Sequence, residues 1–214
     1  LPNVRPLIKI NQHRISLQDL MINSLFNDID GDDIRLIKLS LDYLDDMWDY
    51  SSDQRMYEHF EFEPHKKLLD TKKYLNQLIE RSNGVDAYWW FIQIKETGKV
   101  VGSFGIHNID FRKRACEIGY AVSPKYWGKG VFIKSLIAIL KTLIYNFDFH
   151  RVTAITSSKN YRSINALKKV GFQEEGVFRE FYYDSNGNRF DATSLALLAR
   201  DYNSLEIKNR RGKV

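Results

Sequence analysis

The sequence predicts a mixed α/β (α+β) fold: a mostly antiparallel central sheet flanked by helices, with an N-terminal extension. Three observations carry that expectation. Alternating apolar and polar residues recur at Ile34 to Ser40, Tyr88 to Lys95, Lys99 to His107, His150 to Thr156, Phe172 to Tyr183 and Phe190 to Ala199. That is the period of strands with one buried face. Helix-spaced apolar residues mark Lys67 to Arg81 and Gly128 to Tyr145. Between them lies Arg114 to Phe132, RACEIGYAVSPKYWGKGVF, which starts as a strand and runs through Gly128 and Gly130 into a helix. A glycine turn opening a helix leaves backbone N–H groups free at the positive end of the helix dipole, which suits a phosphate or pyrophosphate.

The elements follow in order. Residues 1–33 read as an N-terminal arm, with a short strand at Leu7 to Ile10 and helical spacing from Ser16 to Phe26 through Leu17, Leu20, Met21 and Leu25. Such an arm packs on the domain or mediates self-association. Asp28 to Asp33 begins like a calcium loop but lacks its later ligands and terminal Glu, so no metal is expected. Ser40 caps a helix from Leu41 to about Tyr50, with Asp42, Asp45 and Asp46 near its positive end. Ser51 to Pro64 is polar, aromatic and irregular. The helix from Lys67 shows Leu68, Leu69, Tyr74, Leu75, Leu78 and Ile79 on one face and ends at Asn83-Gly84.

A three-strand meander follows, turning at Thr97-Gly98. The long helix carries Leu136, Ile137, Leu140, Leu143 and Ile144, and the short helix from Asn160 to Val170 carries Ile164 and Leu167. A hairpin with Asn186-Gly187 at its turn ends residues 34–200, and residues 201–214 form a basic tail. The helix between the meander and the His150 strand makes one crossover in an otherwise antiparallel order.

Composition narrows the class. With 214 residues, 43% hydrophobic and 14% aromatic, the chain has enough apolar surface for a core and is not a disordered segment. The lone Cys116 excludes an internal disulfide framework and suits a reducing compartment. No apolar run reaches the roughly 20 residues that span a bilayer. The expectation is a cytoplasmic protein without membrane contact. Its start at Leu1, without Met, suggests a piece of a longer chain. The net charge of +5 favours polyanionic partners, and so leans toward an anionic acceptor.

Further motifs accompany the central stretch: Cys116-Glu117-Ile118-Gly119-Tyr120, Lys125-Tyr126-Trp127-Gly128-Lys129-Gly130, Asn160-Tyr161-Arg162-Ser163, Gly171-Phe172, Glu175-Gly176 and Arg179. From Ile34 to Arg200 the chain resembles the GNAT superfamily of acyl-CoA-dependent N-acetyltransferases, and within it the Rim-type, ribosomal-protein acetyltransferase-like branch. The signature of that superfamily is Gln/Arg-x-x-Gly-x-Gly/Ala; here Lys125 takes the first position. A Walker loop is absent, and a dinucleotide fingerprint would need a third glycine where Ile133 stands.

The resemblance implies acetyl-CoA as co-substrate. The main chain of Tyr120, Ala121 and Val122 would hold its pantetheine arm, and Lys125 with Trp127, Gly128, Lys129, Gly130, Val131 and Phe132 would form the pyrophosphate turn. It further implies that Asn160 contacts the arm and that Ser163 is the hydroxyl donor to the departing thiolate, with Tyr161 a rival; helix capping is the alternative for Asn160 and Ser163.

The chemistry adds its own demands. An alkylamine with a pKa near 10 is protonated at pH 7 and must lose a proton before it attacks a thioester. Strand alternation puts Ile118, Tyr120 and Val122 on one face and Glu117, Gly119 and Ala121 on the other. Glu117 is the candidate base, or else a strand carboxylate paired with Arg112 or Arg114. A backbone N–H near Val122 would meet the oxyanion.

Trp48, Tyr50, Tyr57, Phe60 and Phe62 occupy the region that borders the acceptor pocket in this superfamily, and Arg179, Tyr182 and Tyr183 reach the same side; about half of these aromatics are expected in the core. Trp48, Tyr57, Phe60 and Tyr182 are the acceptor candidates. The five His residues show no metal-ligand spacing, and Cys116 points to the core face.

The reading is an N-acetyltransferase acting by direct attack in a ternary complex, its acceptor a protein N-terminus, a small amine or a nucleotide-linked amino sugar, with a homodimer left open. The alternatives are a non-catalytic acyl-CoA-binding module and an RNA-binding protein.

Overall fold

The computed structural model describes residues 7–10, 13–16, 27–84, 87–184 and 186–202. Strands β1 (Leu7–Ile10) and β2 (His13–Ser16) pair antiparallel as a separate ribbon. Ser16, expected to open a helix, closes β2; Leu17, Leu20, Met21 and Leu25 lie outside the described residues, as does the basic tail. Strand β3 (Ile29–Asp30) lies antiparallel to β4 (Ile34–Lys38), so residues expected within the arm add an edge strand to the main sheet. The Trp90 indole N–H, donating to Asn27 O at 3.2 Å, ties that edge to the core. The acidic run has local partners: Asp28 accepts from the Lys38 N–H, Asp30 meets Arg35 and Lys95, and Asp33 meets Lys134.

The expected meander is β5 (Ala87–Ile94), β6 (Val100–Asp110) and β7 (Ala115–Val122). With β8 (Arg151–Ser157), β9 (Gln173–Tyr183) and β10 (Arg189–Leu198), they form an eight-stranded sheet ordered β3-β4-β5-β6-β7-β8-β10-β9. Only the β7–β8 pairing is parallel.

Helices α1 (Leu44–Ser51) and α2 (Leu68–Ser82) join β4 to β5, α3 (Val131–Lys141) makes the crossover, and α4 (Tyr161–Lys169) follows β8. The long helix is shorter than its pattern. Gly128 and Gly130 have φ of 74° and 79°, so helical geometry cannot begin before Val131. At the other end the bonding slips to a π turn over Thr142–Asn146, where the Thr142 hydroxyl donates to Ala138 O.

Alternation along β5 divides the interior in two. Tyr88, Trp90 and Ile92 face one core with Leu136, Ile139, Leu140 and Leu167, and Phe91 faces a second with Met47, Tyr50, Leu75 and Leu78. The sheet is thus covered by α3 and α4 on one face and by α1 and α2 on the other. Leu68 and Leu69, expected on the core face of α2, are 40% and 55% exposed. The buried stripe runs Thr71, Leu75, Leu78 and Ser82, and the first turn lies beyond it.

Leu78→Ala should therefore cost about 2–5 kcal/mol, because it opens a cavity against Phe91, whereas Leu69→Ala should stay within about 0.5 kcal/mol. Urea unfolding of the two variants checks the contrast.

Candidate active site

The site begins where the parallel pairing stops. Strand β7 joins β8 at Ala115↔Arg151, Cys116↔Val152 and Glu117↔Thr153 only. Beyond Glu117, β7 continues along β6 to the Gly102↔Val122 pair, while β8 continues along β10 to Ser157. The two strands part, and a gap opens between them.

Strand parity assigns the backbone groups that face this gap. Ser123 N–H donates to Val101 O, so odd-numbered residues here direct their main chain to β6. Cys116 O accepts from the Thr153 hydroxyl, so even-numbered residues face β8. Tyr120 and Val122 therefore present main-chain groups to the gap, and Ala121 does not.

Side chains satisfy part of what the parting leaves bare. The Trp127 indole donates to Val122 O at 2.8 Å, and the Tyr182 hydroxyl donates to Ile155 O at 3.4 Å. The Val122 N–H remains as a donor beside the gap.

Below the gap, the turn from Pro124 through Gly130 delivers the chain to α3, which starts with no side-chain cap. The first N–H groups of a helix have no intrahelical partners, so those of Val131, Phe132 and Ile133 are available to a ligand. A cleft of about 1250 Å³ runs from these amides along Tyr120, Ala121 and Val122 to Asn160 and Ser163. Arg162 and Lys169 supply cations to its lining, and Arg55, also there, is held by Asp53 through two hydrogen bonds. An apolar groove with a capless helix terminus and cations matches the acyl-pantetheine arm and phosphates of acetyl-CoA.

Of the predicted turn residues, Trp127, Gly128, Gly130, Val131 and Phe132 line the cleft, and Lys125 and Lys129 do not. The Lys125 ammonium meets Asp49 at 2.6 Å, and that of Lys129 lies over the Tyr126 ring.

Asn160 caps α4, its Oδ1 accepting the Ser163 N–H at 3.1 Å, and also lines the cleft. Capping leaves its amide NH₂ as a donor. The Ser163 hydroxyl is 2.5 Å from the Tyr120 hydroxyl, a bridge across the gap. Tyr161 is 70% exposed and lines no cavity among the described residues, which separates it from Ser163.

Glu117 stands at the last paired position before the gap and lines neither cavity. Its carboxylate accepts from the Asn108 amide at 3.2 Å and lies 3.9 Å from His107 Nε2; Arg114 instead meets Asp148. His107 is the register partner of Glu117, and its ring stacks on Trp89. Burial lowers the His107 pKa, partly offset by the Glu117 charge. Tyr182 is held nearby, its phenol pushed up to about 12 by burial and by the charges of Glu117 and Glu61. Cys116 is buried in the first core and its thiol is pushed up by that burial.

A second cavity, of about 650 Å³, adjoins the cleft and shares Glu58, His59 and Phe60 with it. Tyr57, Phe62 and Phe190 give it aromatic walls, and Glu61, Glu63, Asp184 and Lys159 complete its charged lining. Of the acceptor candidates, Tyr57 and Phe60 line this cavity, and Trp48 and Tyr182 line neither it nor the cleft.

A profile described as "Acetyltransferase (GNAT) domain" matches residues 33–173. The chain belongs to the GNAT acetyltransferase family.

Among its relatives, the "Uncharacterized N-acetyltransferase p20" of Bacillus licheniformis is 27% identical over 169 residues, 79% of this chain and 94% of the relative. The "[Ribosomal protein uS5]-alanine N-acetyltransferase" of Escherichia coli is 31% identical over 67 residues, 31% of this chain and 34% of that enzyme, in keeping with the Rim-type branch. A GCN5-related N-acetyltransferase from Brucella melitensis shares the fold, with a TM-score of 0.76 at 19% identity over 96% of this chain and 87% of its own. This GNAT chain is accordingly an acetyl-CoA-dependent acetyltransferase. Among its described residues, no helix is long and apolar enough to cross a membrane.

Sequence reasoning missed Arg55, Arg162 and Lys169 in this GNAT cleft, and His107 beside Glu117. Counting the β6–β7 register back from the hairpin would have found His107. Arg162, whose guanidinium sits 3.7 Å from the Trp127 ring, carried no periodic signal.

Burial lowers the pKa of His59, His65 and His107 alike. In the unfolded chain these groups bind protons from about pH 6.5, and in the fold they do so only at lower pH. Stability should therefore fall as pH drops through about 6.5. The acids with depressed pKa, such as Asp30 and Asp49, lose their contribution only at still lower pH. Thermal unfolding across this range should show the decline, with a shallower slope for His107→Gln.

Proposed function

We propose that the enzyme transfers an acetyl group from acetyl-CoA to a cationic primary amine, by direct attack in a ternary complex, with the amine arriving through the aromatic and acidic cavity. The observation that carries this reading is the parting of β7 from β8, which gathers Glu117, the Val122 N–H and Ser163 around one gap. The donor and acceptor spaces adjoin at Glu58, His59 and Phe60.

Each group has one task. Tyr120 holds the pantetheine arm through its main chain, as an added strand would, while the first turn of α3 with Arg162 and Lys169 receives the phosphates. The Asn160 amide donates to the arm. Glu117 takes the proton of the incoming ammonium, directly or through water, and so frees the lone pair that attacks the thioester carbon. Val122 N–H supports the oxyanion that forms. As the carbon–sulfur bond breaks, its electron pair goes to sulfur and Ser163 gives sulfur a proton. His107, held neutral, keeps a second positive charge away from the ammonium.

The acceptor class follows from local charge. Glu58, Glu61 and Glu63 have no cationic partner among the described residues, and they face aromatic rings suited to an alkylammonium. Burial keeps His59 neutral, with Arg162 and Lys159 adding to that effect and Glu58 opposing it. The lining thus opposes the net charge of +5, which by itself would favour an anionic acceptor. A protein N-terminus fits this description, and the relative that acts on a ribosomal protein supports that choice.

Thiol release with a panel of amines tests the proposal. Cationic amines should show KM values several-fold below anionic ones of similar size, and the double variant Glu61→Gln/Glu63→Gln should raise the KM of the cationic amines while leaving that of acetyl-CoA unchanged. Glu117→Gln should lower kcat and move its profile to higher pH, toward the pKa of the amine itself. Equal use of anionic amines would exclude the acceptor reading, and an unaltered pH profile would exclude Glu117 as the base.

A further inference from the structure

The contact between Tyr120 and Ser163 joins the two sides of the gap. Tyr120 leaves β7 on the face of the first core, its ring packed 4.1 Å from that of Phe132 and 5.7 Å from that of Phe104. This packing fixes the ring, and the hydroxyl ends 2.5 Å from Ser163 Oγ. Both residues line the cleft, 43 positions apart in sequence. Helix α4 holds Ser163 from its own side, because Asn160 caps the Ser163 N–H. Neither hydroxyl is free to drift.

We infer that Tyr120 is a positioning residue that donates its phenolic hydrogen to Ser163 Oγ and thereby turns the Ser163 proton toward the departing sulfur. This rests on the reading of Ser163 as the group that faces that sulfur.

Two hydroxyls in contact can be arranged in two ways, and their chemistry selects one. A phenol is a stronger acid than an aliphatic alcohol, hence the better donor, and its ring withdraws electron density from its oxygen, making it the poorer acceptor. The favoured arrangement is Tyr120 O–H to Ser163 Oγ. The serine hydrogen is then left without a protein acceptor in the pair and points into the cleft. Burial raises the Tyr120 pKa, so the phenol keeps its proton through the working range and remains a donor.

As the carbon–sulfur bond breaks, its electron pair goes to sulfur and the Ser163 proton follows. The hydrogen bond from Tyr120 offsets the charge that grows on Oγ while solvent in the cleft returns a proton to it, so that no free alkoxide forms. Tyr120 itself ends as it began. The nitrogen sheds two protons, one to Glu117 before attack and one as the amide forms; one of these makes good the proton that Ser163 gave to sulfur, and the other leaves to solvent.

Tyr120→Phe removes one hydroxyl and keeps the ring that packs against Phe104 and Phe132. The expected result is a kcat lower by roughly tenfold, the scale of one hydrogen bond, with the KM of acetyl-CoA and the thermal shift it induces unchanged. In a Ser163→Ala background the same change should alter kcat less than twofold, since Tyr120 acts through Ser163. The inference is overturned if Tyr120→Phe alone leaves kcat within twofold of the parent, if its effect persists in full without Ser163, or if kcat and acetyl-CoA binding fall together. A Ser163→Ala variant with the parent kcat would instead remove the reading of Ser163 as donor, so the two failures are distinct.

Discussion

Three residue pairs, ending at Glu117↔Thr153, are all that join β7 to β8, and the site depends on their being so few. A parallel ladder carried on to Val122 would consume the main-chain groups that a pantetheine arm needs. The strands part because side chains take over what the ladder gives up. Trp127 caps Val122 O, Tyr182 caps Ile155 O, and the Tyr120 and Phe132 rings pack on the β7 side. Two carbonyls that would be costly to leave unpaired are thus satisfied without closing the gap. Glu117 sits at the apex because it is the last paired residue.

Charge is divided along the same line. The donor cleft carries Arg162, Lys169 and a capless helix terminus, with Arg55 paired to Asp53, whereas the adjoining cavity carries Glu61, Glu63 and Asp184 against Lys159, and Glu58 lines both. Asp184 is tied into its own turn by Asn186 and Asn188, which hold its carboxyl below the usual range. Glu61 accepts only the Tyr183 N–H, at 3.4 Å, and among the described residues none of the three glutamates meets a cation. A net charge of +5 averages over two neighbouring regions of opposite sign, and so says little about either.

Much of the fold was legible because it rests on short periods. Alternation marked the meander and the terminal hairpin, and the glycines marked the start of α3. Positions governed by distant partners were not. Nothing in residues 27–30 signals an edge strand until β4 lies beside it. Lys125 reads as a phosphate ligand until α1 brings Asp49 to within 2.6 Å. Glu117 reads as a base or as a partner of Arg112 or Arg114, and only the β6–β7 register sets His107 opposite it. The second cavity draws on residues between 54 and 64 and on Ser157, Lys159, Asp184 and Phe190, positions with no shared period, and only their folding together gives it walls.

Amide hydrogen exchange with and without acetyl-CoA tests the central claim most directly, because the parity of β7 assigns each amide a different fate. The Tyr120 and Val122 amides face the gap and should exchange markedly more slowly once the arm is bound. The Ala121 amide, already paired with β6, should hardly change. Exchange at Val122 as fast with acetyl-CoA as without it would contradict the account.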